Sequence, residues 1–157
     1  MKILFKLIVF FFLFTNISNA DLIKPNSNLK PFDVLTIQLN SLKNNNNPYK
    51  DAGIEQTWEF AHPINKTFTG PLEKFKQMIY SDSYKILISH ENHKTIILKE
   101  SQNKLVYKVY VLSKDKKKYS YIWQIEKVER EGRFKDCWMT TGAVSYTHLK
   151  LPTKRIV

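Results

Sequence analysis

The chain has 157 residues, a formal net charge of +11 and a single cysteine, Cys137. That is one domain's worth of chain, long enough to bury a core without metal or disulfide staples, and a lone cysteine excludes an intramolecular disulfide. Lysine outnumbers arginine 22 to 3, so the positive charge reads as a solvated lysine surface; the guanidinium forks that grip phosphates and bases are scarce, and nucleic acid is not the expected partner.

Met1 to Ala20 has the form of a secretory signal. Lys2 and Lys6 make a positive start, Leu7 to Phe14 is an unbroken apolar run, and Ser18-Asn19-Ala20 offers small residues for cleavage. The run is short against the ~20 residues that span a bilayer. The expectation is an exported protein, periplasmic or secreted, with no stable membrane insertion after cleavage. Asp21 to Lys30, polar and carrying Pro25, reads as a flexible arm.

Residues 31–143 read as a single α+β domain. Pro31 suits the first turn of a helix, and Phe32, Leu35, Leu39 and Leu42 recur at spacings of three and four, so one face is apolar. Asn44-Asn45-Asn46-Asn47-Pro48 stops it. A second helix is predicted from Asp51 or Gly53 to His62, with Ile54, Trp58 and Ala61 on one side and Pro63 ending it. A third opens at Gly70-Pro71, with Glu73 in its first turn and Leu72, Phe75, Met78 and Ile79 on its buried side.

Past Tyr80 the texture changes. Tyr84–Ser89, Lys94–Lys99, Leu105–Leu112, Tyr119–Val128 and Phe134–Thr140 are rich in Ile, Val, Tyr and Trp, and short polar breaks separate them. This predicts a meander of antiparallel strands, and helices followed by strands is the α+β pattern. Tyr107, Val109 and Val111 share one face of their strand; Tyr121, Trp123 and Ile125 share one face of the next. Those sets are the expected surface on which the helices pack. Cys137, inside an apolar strand, reads as buried filler. Val144-Ser145-Tyr146-Thr147-His148-Leu149-Lys150-Leu151-Pro152-Thr153 resembles a translated transposon-end sequencing adapter, departing from it only at Lys150, one base away. Residues 144–157 are therefore expected to be a non-native tail, which removes Tyr146 and His148 from the candidate site residues.

Particular strings narrow the fold. Gln38-Leu39-Asn40-Ser41-Leu42, Phe60-Ala61-His62-Pro63, Thr69-Gly70-Pro71-Leu72-Glu73-Lys74-Phe75 and the late Cys137-Trp138 resemble a bacterial and plastid family catalogued as domain of unknown function 4864. The resemblance spans about Phe32 to Thr141. It implies a nuclear transport factor 2-like (cystatin-like) fold, in which three N-terminal helices pack on a curved antiparallel meander sheet and close it into a cone. None of these strings is a catalytic signature.

A concave sheet closed by helices leaves an apolar pocket with a few polar groups. Tyr80, Tyr84, Trp123 and His62 are the residues expected to line it. The expected role is binding, with no catalytic centre and no cofactor: a small apolar or aromatic ligand in the cone, or a protein partner on the open sheet face, a homodimer included. The alternative is a cofactor-free enzyme, isomerase-like or hydrolase-like, that works through a His/Tyr cavity, as relatives of the cone fold do. His62 beside Pro63 reads first as a helix terminus, where a cationic ring favours the dipole. His90-Glu91-Asn92-His93 is the one histidine cluster, and its strand-like flanks make it a turn rather than a metal site.

Overall fold

The computed structural model describes residues 21–146. The expected leader and the tail beyond Tyr146 lie outside the described residues, and among those described no helix is long and apolar enough to cross a membrane. Among the described residues, four helices precede a four-stranded antiparallel sheet: α1 (Pro31–Lys43), α2 (Ala52–Glu59), α3 (Pro63–Thr69), α4 (Leu72–Ile79), then β1 (Asn92–Glu100), β2 (Lys104–Leu112), β3 (Lys118–Lys127) and β4 (Trp138–Ser145). The strands pair in chain order, so β1 and β4 are the edges.

α2 stops at Glu59, capped by Phe60, rather than reaching His62, and Pro63 occupies the first position of a further helix, α3, that hydropathy spacing did not reveal. A proline there removes only an N–H that a helix start leaves unbonded. Tyr84–Ser89 is not a strand. Its apolar residues form a 3₁₀ turn, Lys85–Leu87, that drops Leu87 into the core. The last strand also starts later than its apolar run, at Trp138, and runs on to Ser145, so ladder pairing continues past the point where the adapter-like string begins.

The arm lies against α2 through paired bonds. Ile23 N–H donates to Gln56 Oε1 at 2.7 Å, and Gln56 Nε2 donates to the Ile23 carbonyl at 2.8 Å. Asp33 accepts the Lys30 N–H at 2.9 Å and so completes the start of α1. Val34, Leu35, Leu39 and Leu42 of α1 are fully buried, whereas Phe32 is 55% exposed: the buried stripe begins one turn later than the spacing suggested. Gly53 lets α2 meet α1 closely, because a Cβ there would lie 2.0 Å from the Ser41 carbonyl oxygen.

The facing of the sheet follows its alternation. Tyr107 pairs with Trp123 and Val109 with Tyr121, and all four are buried in one cluster with Phe75, as are Val111 and Ile125. Trp58 packs half-buried against that cluster, its ring 5.1 Å from that of Phe75. Cys137 fills a smaller cluster with Val128 and Met139. Helical and sheet layers are also joined through the backbone, at a parallel bridge between Ala61 and Thr140. Thr140 N–H donates to the Phe60 carbonyl and His62 N–H to the Thr140 carbonyl, each at 2.8 Å.

Candidate functional site

Between the helices and the sheet lies a chamber of about 140 Å³. Phe75, Met78, Ile79, Leu87 and Ala143 supply its apolar wall. Its floor is a buried polar network that spans both layers. Gln38 on α1 is 1% exposed, and its Oε1 accepts from Thr140 Oγ1 at 2.6 Å and from the Trp123 indole at 3.2 Å. The Trp123 Nε1–H lies equally close to Thr140 Oγ1, at 3.2 Å. Gln38 Nε2 donates to the Thr57 carbonyl at 3.1 Å, and Thr57 Oγ1 donates to the Gly53 carbonyl at 2.8 Å. Across the chamber Tyr84 donates to the Ala143 carbonyl at 2.8 Å. Every buried side-chain nitrogen and oxygen among the described residues has a partner, as buried polar groups require.

The candidate residues separate into three places. Tyr84 and Trp123 line the chamber. Tyr80 does not: it is 46% exposed and donates to the Asp51 carboxylate at the start of α2. His62 opens onto a different concavity, a groove of about 630 Å³ between α3 and the β3–β4 connection. Nor is His62 a cationic helix end. It is the N-cap of α3, where Nδ1 accepts the Ile64 N–H at 3.1 Å. That role needs a neutral ring with its proton on Nε2, in keeping with burial pushing its pKa down against the opposing pull of Glu126.

The chamber therefore brings together Tyr84 and Trp123 with Gln38, Thr57 and Thr140, which sequence reasoning passed over. Gln38 had one legible signal: it is a polar residue inside the apolar stripe of α1. Tyr84 is the sole titratable side chain lining the chamber, and burial raises its pKa, so it stays a neutral donor. Neither a nucleophile with an adjacent base nor a carboxylate faces the space, and the hydroxyls present are committed to amide and carbonyl oxygens.

His90 and His93 do meet, at the start of β1. His90 is 2% exposed; its Nδ1–H donates to the Leu87 carbonyl at 2.7 Å, which leaves Nε2 to accept from His93 Nδ1–H at 2.7 Å. Burial lowers both pKa values, and Lys43 nearby adds to the effect. Among the described residues no group of three or more His, Cys, Asp or Glu side chains is placed to hold a metal ion. Burial also raises the pKa of the Cys137 thiol, the reverse of what activates a nucleophile.

No family model, curated protein or solved structure matches this chain.

Proposed function

We propose that this chain is an exported single-domain binding protein, built as a nuclear transport factor 2-like cone, that holds a small apolar ligand of single-ring size in the chamber. One observation carries the reading: the chamber has an apolar wall, and its polar groups are already paired with one another. Such a space rewards burial of apolar surface and offers no free charge to a polar substrate. A volume of about 140 Å³ is on the scale of the ~150 Å³ apolar cavity that accepts benzene. The enzyme alternative asked His62 and the tyrosines to share one cavity, and their separation counts against it. Neither a cofactor nor nucleic acid enters this reading.

The test uses benzene as probe. Saturating benzene should raise the melting temperature, since a ligand that binds only the folded state stabilises it, and should move the Trp123 indole proton resonance. Ala143→Leu, which extends a side chain at the chamber wall, should abolish both effects. If benzene leaves the wild-type protein unmoved, the chamber does not bind apolar ligands.

A second reading rests on a separate observation. Ile96, Ile97 and Leu98 are 40%, 55% and 51% exposed on the edge strand β1. An exposed apolar edge is a template for pairing with another strand. Antiparallel self-pairing centred on Ile97 sets each Lys94 opposite Glu100, so a homodimer extended through β1 has charges that complement as well as apolar side chains that meet. Sedimentation should show a concentration-dependent dimer that Ile97→Lys abolishes; a monomer at all concentrations removes this reading.

A further inference from the structure

The groove beside α3 is a second concavity, and its chemistry differs from that of the chamber. Pro63, Ile64, Val128 and Phe134 give it an apolar side. The connection from β3 to β4 lines the rest, with Lys127, Glu129, Arg130, Glu131 and Arg133. Both arginines among the described residues are here; every other Lys/Arg position in that span is a lysine. Lysine suffices for solubility; the guanidinium adds a rigid fork of N–H donors that matches a carboxylate.

The carboxylates of the groove already have partners, two of them within its own lining. Glu126 pairs with Lys104 at 2.7 Å, Glu131 pairs with Lys135 at 2.6 Å, and Glu129 accepts from Asn103 Nδ2 at 2.5 Å. Neither Arg130 nor Arg133 forms an ion pair among the described residues. The Arg133 guanidinium lies 5.3 Å from the centre of the Phe134 ring, within cation–π range, and Lys66 approaches the same ring at 6.0 Å. His62 contributes a third donor: its Nδ1 is occupied by the cap, so Nε2–H is the proton it offers to the groove.

We propose that this groove is a binding site for a small organic carboxylate, whose anionic end is held by Arg130 and Arg133 and whose apolar body lies on Phe134, Ile64 and Pro63. The volume of about 630 Å³ falls within the ~300–1,000 Å³ usual for small-molecule sites. With Glu126 and Glu131 neutralised, the unpaired charge is Lys127, Arg130 and Arg133 against Glu129. That leaves a surplus of two positive charges for the anionic end of a ligand. The site shares no lining residue with the chamber, so it stands independently of the reading given above.

Octanoate and its neutral isostere octanamide, titrated calorimetrically against the full chain, test the proposal. Octanoate should bind, and octanamide should bind at least tenfold more weakly. The double variant Arg130→Gln/Arg133→Gln should lose at least tenfold in octanoate affinity with an unchanged melting temperature, both side chains being exposed. Arg130→Lys/Arg133→Lys, which keeps the charge and removes the fork, should fall between. Equal affinity for the acid and the amide, or a double variant that binds as well as wild type, overturns the proposal. Loss of octanoate binding in Ala143→Leu overturns it as well, by placing the acid in the chamber. Failure of benzene to bind, with octanoate behaving as described, removes the chamber reading and leaves the groove.

Discussion

Three of the histidines carry their protons by arrangement rather than by solution equilibrium. His90 is fixed as the Nδ1–H tautomer by the Leu87 carbonyl, and His93 is fixed by His90 in turn. Protonating His90 places a second donor at Nε2, where an acceptor is needed. For all three, His62 included, the folded pKa lies below the ordinary value of 6.5. Above that value both folded and unfolded chains hold neutral rings and stability is independent of these groups. As pH falls below 6.5 the unfolded chain takes up protons first, so stability declines until the folded pKa values are passed. Melting temperature measured from pH 7.5 to 5 should fall over this window, and His90→Gln/His93→Gln should flatten the slope. An unchanged slope would show that the pair does not titrate there. The cluster is expected as a turn, but only His90 and Glu91 precede β1, which opens at Asn92 and carries His93; the contact of the two rings depends on the preceding 3₁₀ turn, where the sequence suggests a strand.

The Gln38 network is a second matter of single residues. Gln38→Leu leaves the buried Thr140 hydroxyl without its acceptor, and stability should drop by about 1–3 kcal/mol in urea denaturation. Thr140→Val should cost less, because Gln38 Oε1 keeps the Trp123 indole. The opposite order would mean that Thr140, not Gln38, organises the site.

At the level of elements, what was legible was whatever repeats. The α1 stripe and the alternation in β2 and β3 both fixed a face, and Tyr107, Val109, Trp123 and Ile125 are buried as their spacing required. What escaped was local chemistry that overrides hydropathy. The seven residues of α3 contain none that is buried, so no periodic stripe marks it; its signals are a capping imidazole and a first-position proline. Gly70, at φ 76°, then turns the chain into α4 with a backbone conformation that side chains disfavour. Gly53 sits inside α2, where alanine would ordinarily gain about 0.5–1 kcal/mol. Here the methyl would strike the α1 backbone, so Gly53→Ala should instead destabilise by about 1–3 kcal/mol or more on overpacking. A stabilised Gly53→Ala variant, measured by denaturant unfolding, would show that α1 and α2 are free to move apart.

For the whole molecule, the balance of layers depends on where β4 ends. Val144 and Ser145 pair with Ile122 and Tyr121, and the Tyr146 N–H donates to the Ser120 carbonyl at 2.7 Å. Val144 itself is 59% exposed, so its place is held by the backbone more than by burial. A chain ending at Tyr146 should melt with the full-length protein. A chain ending at Ala143 should melt lower, because the Ile122 and Tyr121 strand loses its pairing there. Equal melting of all three would mean that these last bonds add nothing, and a loss already at the first truncation would mean that residues 147–157 pack on the domain. The two edges also explain the scale at which self-association is expected: the sheet order leaves β1 at an edge, with Ile97 and Leu98 exposed on it.

The bridge between Ala61 and Thr140 bears on how the molecule comes apart. In most two-layer folds helices and sheet meet only through side chains, and a helix can peel off while the strands stay paired. Here the last strand completes part of its hydrogen bonding with the segment between α2 and α3, so releasing those helices breaks bonds of the sheet itself. Local opening of the helical layer is thereby tied to opening of β4, and the two should exchange amide hydrogens as one unit. Native-state exchange should give the His62 and Thr140 amides the same opening free energy; a His62 amide that exchanges well ahead of Thr140 would show that the layers separate independently.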